Sequence, residues 1–225
     1  MQVPDSLTRR LKSFEPSGIV YSQALGQYLI ASDDTTKGDD AWLFMMDENG
    51  VVAADPLEIS GMGPMTDMES ISFADDGFLY VLSSQSLNKK GKEKIERNQF
   101  ARVSVSASGA SLVASVELRP LLLSAFAASN EPSLKSLRGA LGELNIEAHF
   151  IRGGELFVGL KGPQPAPGRG LIVGLGKVDD VFSGKKLKGS AIKVWANLDF
   201  KAISGKGDTL SDMTWAGDRD RKSVV

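Results

Sequence analysis

Residues 69–82 read Glu-Ser-Ile-Ser-Phe-Ala-Asp-Asp-Gly-Phe-Leu-Tyr-Val-Leu, and this stretch decides the fold. Two short apolar runs flank a turn of Asp, Asp and Gly, which predicts two antiparallel strands joined by a tight turn. A similar pattern returns at residues 147–160, where Glu-Ala-His-Phe-Ile and Glu-Leu-Phe-Val-Gly-Leu flank Arg-Gly-Gly. Because the opening recurs with the same kind of turn after it, the chain is predicted to consist of repeated β units.

Each repeat contains four short predicted strands. They lie at 17–21, 28–32, 41–46 and 51–54, at 69–73, 78–82, 100–105 and 112–116, and at 147–151, 155–160, 171–175 and 192–195. Asn49-Gly50 is a strong hairpin signal inside the first repeat, and a fourth opening begins at Asp212. Repeats of roughly 50 residues with four strands each are typical of β-propeller blades. An unrepeated β-sandwich is the alternative fold.

We therefore predict an all-β chain that forms an incomplete β-propeller in one domain over residues 1–219. Three four-stranded blades are expected at about 15–60, 67–118 and 145–200, and the first strand of a fourth blade from about 210. Leucines at helical spacing, punctuated by prolines, predict a short helical insertion around 118–142. Residues 220–225 match what a widely used DNA sequencing adapter encodes in one reading frame, so we expect an artefact there and a natural sequence that continues as a strand.

Composition limits the chemistry. The chain has no cysteine and one histidine, His149, which excludes thiolate sites and multi-histidine zinc sites within one chain. Any metal would be held by oxygen ligands, which favours calcium or magnesium. With 26 basic and 28 acidic residues the net charge is −2, so nucleic acid is not an expected partner. No segment approaches the ~20 apolar residues of a membrane span. No signal peptide is visible, so a cytoplasmic location is the default, export is left open, and so is the oligomeric state.

Acidic and polar residues open the repeats at alternating positions. The first strand of a propeller blade lines the central channel, and side chains two residues apart share a face. The residues expected on the channel face are Glu15, Ser17, Asp67, Glu69, Asn145, Glu147 and, in the fourth opening, Asp212. Converging carboxylates favour protonation unless a cation neutralises them. We predict calcium as the cofactor, with Asp67, Glu69, Glu147 and Asp212 as its ligands. The alternative is that these acids only hydrogen-bond amides and water.

Further candidate residues lie near the strand ends. Ser84, Ser86 and Lys89 follow the second strand of the second blade and, with Asn145, are predicted to bind an anionic substrate; a solvated hairpin loop is the alternative. Lys161 lies at the matching strand end of the third blade, and we predict that it stabilises developing negative charge.

Two other residues receive more ordinary roles. His149 is predicted to be a packed residue rather than a general base. Asp33 is predicted to cap a turn, with ligand contact as its second reading.

Five spaced motifs resemble a known family. They are Glu15-Pro16-Ser17-Gly18, Asp67-Met68-Glu69-Ser70, Ser-Ser-Gln-Ser-Leu-Asn-Lys-Lys-Gly-Lys at 83–92, Asn145-Ile146-Glu147 and Gly159-Leu160-Lys161-Gly162-Pro163. From about Glu15 to Asp218 the chain is similar to an uncharacterised bacterial β-propeller family close to the phytase-like esterase propellers. That family usually has Glu-Gly at the blade openings and arginine where this chain has Lys161, and the two cations bind oxyanions differently.

The resemblance implies a propeller fold and an esterase-like or phytase-like activity. Together with the acidic openings it predicts a metal-assisted hydrolase of a small anionic ester, phosphoric or carboxylic, at the central channel. Glu69, Glu147 and Lys161 are its expected catalytic residues. The alternative is a non-catalytic propeller that binds a small molecule or a protein at its channel mouth.

Overall fold

The computed structural model describes residues 1–33, 35, 41–205 and 209–214, and the strands within these ranges form three sheets. Sheet 1 contains β1 (Glu15–Ser22), β2 (Gln27–Asp33), β3 (Trp42–Met46) and β4 (Val52–Pro56). Sheet 2 contains β5 (Ile59–Ser60), β6 (Met68–Phe73), β7 (Leu79–Ser83), β8 (Gln99–Ser106) and β9 (Gly109–Glu117). Sheet 3 contains β10 (Asn145–Arg152), β11 (Glu155–Gly162), β12 (Arg169–Lys177) and β13 (Lys193–Asp199). The described chain is therefore mostly β, and each predicted group of four strands forms one antiparallel sheet.

The strand missing from the prediction is β5, which pairs in parallel with the outer strand of sheet 2. It has two residues, which is too short for any hydrophobic period to reveal it. In the other strands, adjacent partners follow each other in sequence, because the turns between them are rich in Gly, Asn and Asp.

Helices are few and short, and the longest lie where the helical insertion was predicted. That insertion contains α2 (Leu118–Ala128), α3 (Pro132–Ser136) and a 3₁₀ turn (Arg138–Glu143). The others are α1 (Asp5–Thr8), α4 (Val178–Phe182), α5 (Phe200–Ser204) and 3₁₀ turns at Ile95–Arg97 and Gly189–Ala191. α3 begins at a proline, whose fixed φ and missing N–H suit the first helical position. None of the helices in the described ranges combines the length and apolar character that a bilayer crossing requires.

The three sheets pack side by side through β1, β6 and β10, which correspond to the predicted first strands of the blades. β6 lies between β1 and β10. Leu29 of sheet 1 and Ile71 of sheet 2 belong to one apolar core. Leu82 of sheet 2, Val158 of sheet 3 and Phe126 of α2 belong to another, so the insertion fills the space beside sheets 2 and 3. This arrangement is compatible with a propeller-like fold.

The predicted fourth opening is described only in part. Residues 209–214 form no strand; instead Leu210 and Met213 pack against the face of sheet 3 that carries Phe150 and Ile172. The rest of that opening, 215–218, and the suspected adapter segment, 220–225, lie outside the described residues.

The contact between α2 and the 3₁₀ turn at Gly189 gives a first test of the packing. A methyl group added at Gly189 would lie 2.5 Å from the carbonyl carbon and oxygen of Ala128. Because those are backbone atoms, we expect Gly189→Ala to lower the free energy of unfolding by about 1–3 kcal/mol. Gly139→Ala is the matched control, since a methyl group there meets no atom within 4 Å. Equal urea midpoints for the two variants would contradict the packing described.

Candidate functional site

Each first strand carries a β-bulge at the same place. The pairing register shifts between Pro16 and Gly18, between Met68 and Ser70, and between Ile146 and Ala148. The residues inside the bulges are Ser17, Glu69 and Glu147. A bulge bends its strand and re-aims the inserted side chain, and such irregularities are enriched next to functional sites.

Three carboxylates from two sheets meet beside these bulges. Asp33 ends β2 in sheet 1, and Asp67 and Glu69 open β6 in sheet 2; one ligand oxygen from each lies within 4.8 Å of the others. In sheet 1, Asp33 of β2 pairs with Glu15 of β1, and Glu15 is exposed. Sheet 1 therefore contributes its acid to the cluster from β2 and not from β1. Sequence reasoning gave Asp33 turn capping first and ligand contact second, and the structure places it in the acidic cluster.

Glu69 is the most perturbed acid of the cluster. Burial and the nearby charges of Glu147, Asp67 and Asp33 raise the pKa of Glu69 to about 9, and Lys161 opposes this only in part. Glu69 is therefore protonated at neutral pH when no cation is bound. Glu69 of β6 and Glu147 of β10 are therefore close enough for their charges to interact.

Asp67 is held by three donors that all bind its Oδ2 atom. The Ser84 hydroxyl donates to it, the Ser86 hydroxyl donates at 3.1 Å, and Arg97 Nη1 donates at 2.5 Å. Arg97 Nη1 also lies 2.8 Å from Ser86 Oγ. The two predicted substrate-binding serines thus orient an acid. Sequence reasoning did not pair Arg97 with Asp67, because nothing local marks a contact across 30 residues.

Glu147 and Lys161 form an ion pair within sheet 3. Lys161 Nζ donates to Glu147 Oε1 at 2.9 Å, and the Glu147 side chain is 9% exposed whereas that of Lys161 is 43% exposed. Partial burial lowers the pKa of Lys161, but the hydrogen bond and charge of Glu147 outweigh it, and the net pKa is raised. Lys161 therefore stays protonated and keeps an exposed side that an anion can reach.

The remaining predicted residues are Lys89, Asn145 and Asp212. Lys89 is exposed in a turn closed by the Asn88 N–H and the Lys92 carbonyl oxygen. Asn145 opens β10, and its buried Oδ1 has no hydrogen-bond partner among the described residues. Burial raises the pKa of Asp212 to about 6, but in the described ranges Asp212 forms no hydrogen bond or ion pair with the cluster.

His149 is fully buried, as predicted for a packed residue. Its Nδ1 lies 2.9 Å from Ser70 Oγ and its Nε2 lies 2.9 Å from Ser72 Oγ, so the ring bridges β10 and β6. Burial lowers the pKa of His149 to about 3. The imidazole is therefore neutral and out of reach of a substrate.

The donor set of the cluster suits a hard divalent cation. All of its ligand atoms are oxygens, and calcium takes oxygen ligands at about 2.3–2.6 Å, which puts ligands on opposite sides of the ion about 5 Å apart. The 4.8 Å spread of Asp33, Asp67 and Glu69 lies within that distance.

No family model matches the chain, and neither does any curated protein. Among solved structures the chain is similar to a Bacteroides fragilis protein described as a putative 6-phosphogluconolactonase, with 11% sequence identity and a TM-score of 0.39. The similarity covers 81% of this chain and 44% of that one, so the chain spans less than half of that protein's length.

Proposed function

We propose that the chain belongs to a β-propeller whose acidic site binds calcium through Asp33, Asp67 and Glu69, and that the loaded site hydrolyses a small anionic ester. The observation that supports this is the meeting of three carboxylates within 4.8 Å beside two strand bulges. This ligand set keeps Asp67 and Glu69 from the set predicted from the sequence, adds Asp33 and omits Glu147 and Asp212. The propeller arrangement is supported by the side-by-side packing of three sheets of four or five strands.

Charge explains why an anionic ester would need the cation. In the described part of the site, the acids Asp67, Glu69, Glu147 and Asp33 form a group with the cations Arg97 and Lys161. Even with Glu69 protonated, the formal charge of this group stays negative and repels an anion. A bound divalent cation, with Glu69 ionised as its ligand, would neutralise that negative charge and polarise an ester oxygen.

The chain's own residues would then divide the remaining work. Glu147 is held at a fixed place by Lys161 and can accept a proton from an attacking water. Lys161 keeps an exposed side, so it can also stabilise negative charge that develops on the ester. Ser84, Ser86 and Arg97 orient Asp67 through its Oδ2.

A second candidate is non-catalytic binding of a small anion or of a protein segment. One observation favours it: the described part of the site presents no free nucleophile. The serine hydroxyls of Ser84 and Ser86 are bound to Asp67, and the only histidine of the sequence is buried and neutral.

Calorimetric titration with calcium chloride, followed by assays with p-nitrophenyl phosphate and p-nitrophenyl acetate, tests the proposal. We expect Lys161→Gln to lower kcat about 100-fold while calcium affinity is kept or increased, because the variant loses an oxyanion donor but no cation ligand. Lys188→Gln, on an exposed turn, is the control and should change neither quantity. Calcium binding without turnover of either ester would favour the second candidate. The absence of both calcium binding and turnover would refute the calcium-dependent hydrolase.

A further inference from the structure

We propose that Arg119 is a positioning residue for the acidic site: from the helical insertion it fixes the Ser84–Gln85–Ser86 turn, and through that turn it fixes Asp67. The role of Asp67 as a cation ligand rests on the proposed function, whereas the mechanical role of Arg119 does not.

Arg119 is 2% exposed and lies in the first turn of α2. Among the described residues its guanidinium donates to three backbone carbonyl oxygens: Nη1 donates to Gln85 and, at 3.3 Å, to Leu144, and Nη2 donates to Gly142 at 2.8 Å, whereas the buried Nε has no partner there. No carboxylate forms an ion pair with Arg119 in the part of the chain that the structure describes. Burial lowers the pKa of Arg119, although Glu93 opposes this.

This placement is unfavourable for a cation in two ways. A buried charge without an opposite charge loses its hydration and recovers only part of it through neutral acceptors. The positive end of the helix dipole lies at the same turn and also disfavours a cation. The contacts that offset these costs are the three carbonyl oxygens, so the guanidinium is bound firmly to the backbone that it joins.

The turn that Arg119 joins is held in an uncommon conformation. Gln85 has φ 60° and Asp67 has φ 57°, and among the described residues these two are the non-glycine positions with positive φ. A left-handed conformation is unfavourable for a residue with a side chain, so neighbouring contacts must maintain it. At Gln85 the backbone N–H donates to the Arg97 carbonyl oxygen at 2.9 Å, the side-chain amide donates to the Ser83 carbonyl oxygen at 2.8 Å, and the carbonyl oxygen accepts from Arg119.

The turn in turn determines where Asp67 points. The Ser84 N–H donates to the Asp67 carbonyl oxygen at 2.9 Å, and the hydroxyls of Ser84 and Ser86 bind Asp67 Oδ2. The Ser84 carbonyl oxygen accepts from the Ile146 N–H at 2.7 Å, one residue before the Glu147 bulge. Releasing the Gln85 carbonyl therefore loosens the contacts that orient the acids of sheets 2 and 3.

Arg119→Met and Arg119→Lys test this, with Gly189→Ala as a control that disturbs the far end of α2 but not the turn. In the metal-free protein we expect Arg119→Met to speed amide exchange at Ser84 and Gln85 about 100-fold relative to the amides of β7. Calcium affinity should fall about 10-fold, as for other partners that orient a metal ligand. Arg119→Lys, which keeps the charge and fewer of the bonds, should lie between Arg119→Met and the wild type. Gly189→Ala should lower the urea midpoint and leave both quantities unchanged.

A double-mutant cycle decides whether Arg119 acts through the serines. In a Ser84→Ala/Ser86→Ala background, Arg119→Met should lower calcium affinity no further. Unchanged exchange at Ser84 and Gln85 in Arg119→Met overturns the inference, as does an undiminished second effect in the cycle. If Arg119→Met does not fold, the exchange of Arg119→Lys decides. A wild-type protein that binds no calcium refutes the proposed function alone, since the exchange measurements still support or overturn the role of Arg119.

Discussion

Glu69→Gln is expected to stabilise the metal-free protein at pH 7 by up to about 3 kcal/mol while abolishing calcium binding. The pKa of Glu69 is about 9 in the folded chain and 4.5 in the unfolded chain, so folding takes up a proton between these values. The stabilising contribution of neutral Glu69 is complete below pH 4.5 and is lost as pH rises through 9, at about 1.4 kcal/mol per pH unit. Glutamine is neutral at every pH and avoids this loss, but it removes a charged ligand.

Urea unfolding at pH 5, 7 and 9 in the presence of a chelator measures the effect. The advantage of Glu69→Gln over the wild type should grow with pH, whereas Glu155→Gln, at an exposed strand position, should show no such trend. With calcium added, the wild type should gain stability and release about one proton per ion at pH 7, and the variant should do neither. A stability difference that does not depend on pH would argue against a buried, protonated Glu69.

His149 is expected to produce the largest loss of stability in acid. Its pKa is about 3 in the folded chain and 6.5 when unfolded, so the folded state resists protonation. The stability that neutral His149 contributes is complete above pH 6.5 and is lost as pH falls toward 3, by up to about 5 kcal/mol in total. The raised pKa values of Glu69 and Asp212 have the opposite effect and offset this loss, so the wild-type stability should fall steeply only below pH 3.8, where both acids are protonated in the unfolded chain as well.

Comparison with His149→Gln isolates the histidine from the other titrating groups. Glutamine keeps polar atoms near Ser70 and Ser72 but does not titrate, so the stability advantage of the wild type over the variant should shrink by about 1.4 kcal/mol for each pH unit below 6.5. A Glu69→Gln background removes the contribution of Glu69 from both chains, so the difference between histidine and glutamine at position 149 should keep the same dependence on pH. A constant difference between pH 7 and pH 4 would mean that His149 is accessible to protons in the folded state.

The local features of this fold could be predicted from the sequence. Apolar runs around Asn49-Gly50 and around the turn at Gly77 predict hairpins, because a strand period of two and turn residues act over a few positions. The leucines after Leu118 predict helix for the same local reason. The repeated opening also predicts that Glu69 and Glu147 converge on one axis, because equivalent strands of packed sheets place equivalent residues near each other; this convergence stays a prediction.

The repeat could not indicate which partners complete the site. The sequence predicted Asp212 as a metal ligand, which stays untested, and it did not predict that Asp33 lies beside Asp67 and Glu69. The sequence predicted that Lys89 binds substrate together with Ser84 and Ser86. It did not predict that Arg97 bonds to Asp67 beside the same serines.

Most strands, the turns, the helical insertion and the restriction of any metal site to oxygen ligands could be predicted from the sequence. The acidic cluster, the hydrogen bonds that hold Asp67 and the burial of Arg119 and His149 become visible only in the folded chain. The difference arises from how far apart along the sequence the interacting residues are, because backbone conformation depends mainly on residues that are neighbours in sequence. Charge, burial and pKa follow from residues such as Arg97 and Asp67, or Arg119 and Gln85, which are distant in sequence and meet only when the sheets and the insertion pack.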